Sequence, residues 1–148
     1  MKPIYFLFFA FFFSQCASLE NYPSEIKLIN IPDVSKCVVS GNGYAKNTDQ
    51  AINEAEKNIF NVILFLGIAG TDLERPLIEN SAEAKNTHNS YFKSLLENNG
   101  YKKFIMERGP TSTNIVSGGF QGQTTLTINL IALRKDLEDN GIIRKFGF

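Results

Sequence analysis

The chain has 148 residues, with 15 basic and 15 acidic side chains and a formal net charge of zero. A chain of this length makes one domain around a single core. The charge balance lacks the basic excess of a nucleic-acid binder, and the largest basic groupings, Lys102-Lys103 and Arg144-Lys145, read as ordinary solvated surface.

The N-terminus opens Met1-Lys2-Pro3 and continues as an unbroken apolar run from Ile4 to Phe13, followed by Ser14, Gln15 and Cys16. A basic start, a short apolar run and a small or polar exit are the parts of a secretory signal. A bilayer-spanning helix needs about 20 apolar residues, so the run is too short for a permanent anchor. A surface helix of a folded domain would carry a polar face, which this run lacks. Phe13-Ser14-Gln15-Cys16 resembles the bacterial lipoprotein signal, in which a large aliphatic residue and two small residues precede a cysteine. Phe13 stands where Leu is usual, and Gln15 where Gly or Ala is usual. The resemblance implies that residues 1–15 are removed and that Cys16 becomes the mature N-terminus, carrying a diacylglyceryl thioether. A thiolate is the side-chain nucleophile suited to that acylation. Ala17, where an Asp would resemble an inner-membrane retention signal, points towards the outer membrane. The expected location is the cell envelope, with the membrane engaged through Cys16.

Removing residues 1–15 takes one basic residue, Lys2, and leaves 14 basic against 15 acidic side chains, a net charge of −1. An acylated Cys16 cannot form a disulfide and leaves Cys37, the other cysteine, unpaired. Cys37 opens an apolar strand, so a buried, inert thiol is expected. A Cys16–Cys37 disulfide is the alternative for an unacylated chain.

Residues 16–35 read as the lipidated N-terminus and a tether, and residues 36–148 as a single α+β domain. Pro23 and Pro32 oppose a central strand or helix in the tether, although Ile26–Ile31 suits an edge strand. Residues 36–46 form a strand in which Gly41 and Gly43 mark a bulge or a close backbone approach. Asn47, with Gln50 three residues on, predicts a capped helix. Its stripe is Ala51, Ile52, Ala55, Ile59, Val62, Ile63 and Leu66, and Gly67 stops it. Residues Ile59–Leu66 are apolar nearly all round and should be the most buried part.

Residues 67–79 form a connection. Asn80 and Glu83 predict a second capped helix reaching about Asn98, with Ala84, Tyr91, Phe92, Leu95 and Leu96 on its apolar face. Tyr101–Arg108 is a strand broken by Gly109-Pro110. Thr111–Ser117 and Phe120–Ala132 flank a hairpin turn at Gly118-Gly119. Leu126, Ile128 and Leu130 alternate with polar residues, as in a sheet with one solvated face. A short helix, Leu133–Asp139, ends at Gly141. The predicted fold is a small antiparallel sheet packed against two main helices, plus a short C-terminal helix. Ile59, Val62, Ile63, Leu66, Leu95, Leu126, Ile128 and Leu130 are its expected core.

Few constellations suggest chemistry. Ser90 and Lys93 match the Ser-x-x-Lys nucleophile motif, but the Ser-Asp-Asn and Lys-Thr-Gly partners are absent and the chain is short for that fold. Gly41-Asn42-Gly43 lacks the third glycine of a dinucleotide turn, since position 46 is Lys46. His88 reads as a partly buried structural histidine, and a lone His with one free Cys makes no ordinary zinc site. Asp72, Glu74, Glu79 and Glu83 fit solvation and helix-dipole complementarity. The terminal Phe148 is a feature of outer-membrane barrels, but the mature chain lacks the strands to form one. Neither catalytic residues nor a cofactor or metal are expected.

Val39-Ser40-Gly41-Asn42-Gly43-Tyr44-Ala45 and the helix Asp49–Leu66 resemble the opening of the LPP20-type lipoprotein domain, itself similar to the N-terminal domain of the flagellar assembly protein T. The resemblance implies an envelope-attached, non-enzymatic binding or assembly module with an envelope protein partner. The alternatives are an exported hydrolase using Ser90 or Cys37, and a soluble periplasmic small-ligand binder, which would need a large apolar cavity.

Overall fold

A computed structural model describes residues 24–33 and 35–145. The fold is α+β, with one antiparallel sheet and its helices gathered on a single side. Strand β1 (Ile26–Asp33) pairs with β2 (Lys36–Ala45), and the long helix α1 (Thr48–Phe65) follows. Next come α2 (Ser81–Thr87), α3 (Asn89–Phe92), a π-helical turn (Lys93–Glu97) and a 3-10 turn (Gly100–Phe104). Strands β3 (Ile105–Val116) and β4 (Gly119–Asn129) form a hairpin, and α4 (Leu130–Asp139) closes the domain. The strand order is β1-β2-β4-β3, and every pairing is antiparallel.

Three helices start in the same way. Asn47, Asn80 and Asn129 each accept a hydrogen bond through Oδ1 from the backbone N–H three residues on, at Gln50, Glu83 and Ala132. Each bond satisfies one of the donors that a helix N-terminus leaves unpaired.

Helix α1 lies across β2 and β4, and the glycines set how closely it sits. A Cβ on Gly43 would lie 2.2 Å from the Ala55 backbone nitrogen, and one on Gly122 would lie 2.6 Å from the Ala51 carbonyl carbon. The β2–β4 register is continuous through Gly41 and Gly43, so these residues mark close approach and not a bulge. Asn58 adds a polar tie, donating from Nδ2 to the Asn42 carbonyl at 3.1 Å.

The core runs through both faces of α1. Ile59 and Ile63 face the sheet with Cys37, Val39, Leu126 and Ile128, and all are buried. On the other side Phe60 packs on Tyr101 (ring centroids 5.0 Å apart), and Phe65 packs on Phe92 (5.4 Å). This sandwiched position explains why the end of α1 is apolar nearly all round.

Of the expected core, Ile59, Ile63, Leu95, Leu126 and Ile128 are buried, whereas Val62 and Leu130 are half-buried. Leu66 departs from the expectation and is 71% exposed. It is the C-cap residue, and Gly67 turns the chain away at φ +76° before Leu66 can reach the core.

Other boundaries also differ from those read in the sequence. The helix expected from Asn80 to Asn98 is interrupted at His88, whose φ and ψ of −115° and 37° leave the helical region. Thr87, Asn89 and Ser90 around it are weak helix formers, so packing decides the path there. Residues 100–104 form a 3-10 turn in place of the start of a strand, because Asn99 enters a left-handed conformation (φ 59°) and directs Tyr101 into the core.

Gly109-Pro110 does not end β3 but produces a register shift between Arg108 and Thr111. Pro lacks an N–H and is tolerated because β3 is an edge. The hairpin turn is centred on Ser117-Gly118, with Gly118 at φ +81°, and Gly119 already pairs with Val116. Strand β4 stops at Asn129, not Ala132, because the Asn129 cap starts α4 three residues earlier than expected. Strand β1 brings Ile26–Asp33 into the sheet as its other edge, the role expected for Ile26–Ile31.

Candidate functional surface

Because α1 covers one face of the sheet, strand alternation assigns each residue to a side. Gly41 and Gly43 abut α1, so Ser40, Asn42 and Tyr44 point to the opposite, outer face. On β4, Thr124, Leu126 and Ile128 are buried under the helix, and Gln121, Gln123, Thr125 and Thr127 point outward. The register brings the outward residues together: Asn42 opposite Gln123, Tyr44 opposite Gln121, and Gln121 opposite Asn114 of β3. The helices contact α1 and the strand ends, so among the described residues no helix lies on the outer face.

The centre of this face is a small polar network. The Tyr44 hydroxyl accepts from Gln121 Nε2 at 2.8 Å and from Asn42 Nδ2 at 3.5 Å. Asn42 Oδ1 accepts the Glu25 backbone N–H at 2.7 Å, which holds the start of β1 to the sheet. Around it Ser40, Gln123, Thr125 and Ser112 add uncharged donors and acceptors, with Lys27 and Glu107 at the margins. The surface is hydrogen-bonding and near-neutral, with Asn42 buried at its centre and Gln123 exposed.

On the helical side, the Glu56 side chain is only 4% exposed and its Oε1 accepts from Arg108 Nε at 2.8 Å. The carboxylate raises the already high pKa of the Arg108 guanidinium, against the effect of desolvation. Burial, followed by the Glu56 and Glu54 charges, pushes the Tyr101 hydroxyl well above its ordinary range. These contacts join α1, the 3-10 turn and β3.

The residues singled out in the sequence are not brought together. Cys37 is fully buried and unpaired among the described residues, and burial pushes its thiol up to about 12. A neutral, buried thiol is a poor nucleophile. His88 is half-buried and lines an open groove of about 1120 Å³ that Cys37 does not reach. Ser90 and Lys93 are both exposed, where α3 passes into the π-helical turn, with no buried base beside them.

Asp72, Glu79 and Glu83 line the same groove as His88, yet no group of three or more His, Cys, Asp or Glu side chains is placed to hold a metal among the described residues. A second open groove of about 660 Å³ adjoins it between Ile31, Leu73, Leu77 and α4. Lys102 and Lys103 are engaged, on Asn53 Oδ1 at 3.0 Å and Asp136 Oδ1 at 2.8 Å, and form no free basic patch. Cys16 and the signal before it lie outside the described residues.

The alternation on β4 anticipates the outward Thr125 and Thr127, whereas the Tyr44 network and the Glu56–Arg108 pair are not singled out by the sequence. The face was readable as a period-two run of Ser40, Asn42 and Tyr44 beside Gln121, Gln123, Thr125 and Thr127. The pair links residues 52 positions apart and carried no local signal. Comparison with protein-family models, with curated proteins and with solved structures finds no match to this chain.

Proposed function

We propose that this chain is a lipid-anchored cell-envelope protein, exported on residues 1–15 and acylated on Cys16, that works without catalysis as a binding or assembly module. The location rests on the signal-like run Ile4–Phe13 and on Phe13-Ser14-Gln15-Cys16. The module reading is carried by one observation: the outer face of the sheet is an array of uncharged hydrogen-bonding side chains around Asn42, Tyr44, Gln121 and Gln123 with no helix over it among the described residues, while the nucleophile candidates Ser90 and Cys37 have no activating partner among those residues. No helix among the described residues is long and apolar enough to cross a membrane, so acyl chains at Cys16 would supply the attachment. Burying acyl chains contributes about 0.8 kcal/mol per CH₂, and stable anchoring takes more than one chain, a condition that a diacylglyceryl group meets. Outer-membrane placement follows from Ala17 within the same reading.

The test is fractionation of cells labelled with fatty acid, comparing wild type with Cys16→Ala. The wild type should be labelled and sediment with membranes. Cys16→Ala should lose the label and leave the membrane fraction or remain unprocessed at residues 1–15. An unlabelled wild type, with both proteins retained equally, would sink the lipoprotein reading and leave an ordinary exported protein or an uncleaved anchor.

A further inference from the structure

The two ends of the sheet differ. The first described residues, Ser24 and Glu25, lie beside Asn42, through the Glu25 N–H bond to Asn42 Oδ1. Three residues further along β2, Ala45 pairs with Phe120, and Phe120 pairs with Ile115. The chain therefore enters the domain at the end of the sheet that carries the β3–β4 hairpin tip. The opposite end holds Lys36, Asn129, Leu66 and the grooves. Helix α1, 18 residues long, runs from one end to the other, a separation of roughly 27 Å at 1.5 Å per residue.

The hairpin tip is apolar where solvent would favour polar residues. Ile115 is 85% exposed, the most exposed of the large apolar side chains described. Val116 and Phe120 beside it are half-buried, and Ser117-Gly118 closes the turn. Among the described residues the charged groups at this end are Lys46 and Asp49, the Glu54–Lys57 ion pair, and Glu25 and Lys27. Glu25 and Lys27 pair with each other at 2.7 Å, so the tip carries little net charge.

We propose that this hairpin tip rests in the interfacial layer of the bilayer to which Cys16 is anchored, with Ile115 inserted among the lipids. The proposal rests on the lipoprotein reading above. Eight peptide steps separate Cys16 from Ser24, which limits their separation to roughly 29 Å when fully extended. The tip lies on the same end of the sheet as Ser24, across four strands spaced about 4.8 Å apart. Both attachments can therefore meet one membrane plane. A single exposed aliphatic side chain adds too little to hold a protein on a membrane alone. Beside a lipidated terminus it sets orientation, directing Leu66, Ile131 and the grooves away from the bilayer.

The test uses the full-length protein extracted from metabolically labelled membranes and reconstituted in vesicles of phosphatidylethanolamine and phosphatidylglycerol. A nitrobenzoxadiazole probe is placed on Ile115→Cys, with Ser117→Cys as a second tip position and Leu66→Cys as the distal control. With acyl label present, the tip probes should shift to the blue on vesicles and be quenched by headgroup-level spin-labelled lipid, while the Leu66 position does neither. Acylated, vesicle-bound protein whose tip probes stay aqueous overturns the proposal and leaves the anchor intact. A blue shift that appears without lipid and grows with protein concentration overturns it in favour of a second copy of the chain. Absence of acyl label overturns the lipoprotein reading and this proposal with it.

Discussion

Cys37 shows how environment decides the chemistry of a residue type. A free cysteine titrates at about 8.5 and invites a nucleophilic role, but here burial pushes the thiol up to about 12. Iodoacetamide or a maleimide should leave Cys37 unmodified in the native protein and modify it only after denaturation, as intact-mass measurement would show. Rapid labelling of the folded protein would mean that the β2 end opens readily. Ser90 contrasts with it, being exposed but without a neighbouring base held in place by burial among the described residues. The buried carboxylate of Glu56 is compensated on one oxygen by Arg108, and the cost of taking charge out of water sets against the attraction within such a pair.

The contact between β2, β4 and α1 depends on missing side chains. At Gly43 an added Cβ meets backbone of α1, which cannot move without lifting the helix from the sheet. Gly43→Ala should therefore destabilise the fold by about 3 kcal/mol, near the upper end for overpacking. At Gly41 the atoms in the way belong to side chains, Ile26 Cδ1 and Ile59 Cγ1 and Cδ1, which can shift further than helix backbone can. Gly41→Ala should cost less, about 1 kcal/mol. Urea unfolding of both variants gives the comparison, and equal losses would contradict the close approach at Gly43. The two glycines read alike in sequence. Their difference arises from which part of α1 stands above each, a consequence of the helix axis crossing the sheet.

At the level of the whole molecule, one cluster joins segments far apart in sequence. The Tyr91 hydroxyl of α3 donates to Asp136 Oδ2 of α4 at 2.6 Å, and Lys103 Nζ donates to Asp136 Oδ1 at 2.8 Å. Desolvation raises the pKa of Asp136, but the hydrogen bonds from Lys103 and Tyr91 outweigh it, holding the carboxyl below its ordinary 3.8. A carboxylate whose folded-state pKa is depressed contributes stability that is present above its unfolded pKa and disappears as pH falls through the folded one. Wild-type stability should accordingly fall as the pH drops through 3.8 and below. Asp136→Asn should be less stable at neutral pH and show a shallower loss in that window, followed by thermal unfolding from pH 6 to pH 2. Parallel pH profiles for the two proteins would show that the cluster is not ionically maintained in the fold.

What the sequence by itself determined was local. The caps at Asn47 and Asn80, the stripe of α1, the alternation of Leu126 and Ile128, and the antiparallel α+β class all follow from periodicity and from short-range hydrogen bonding. Tertiary structure decided the rest. It ended the core short of Leu66, broke the second helix at His88 and turned Tyr101 inward. It also kept Ser90, Cys37 and His88 from forming one site, and among the described residues it placed every helix on the side of the sheet opposite Tyr44. The physical reason is that each of these outcomes depends on which surfaces meet. Propensity along the chain differs by less than about 1 kcal/mol per residue, whereas burying one large side chain is worth about 2 kcal/mol or more.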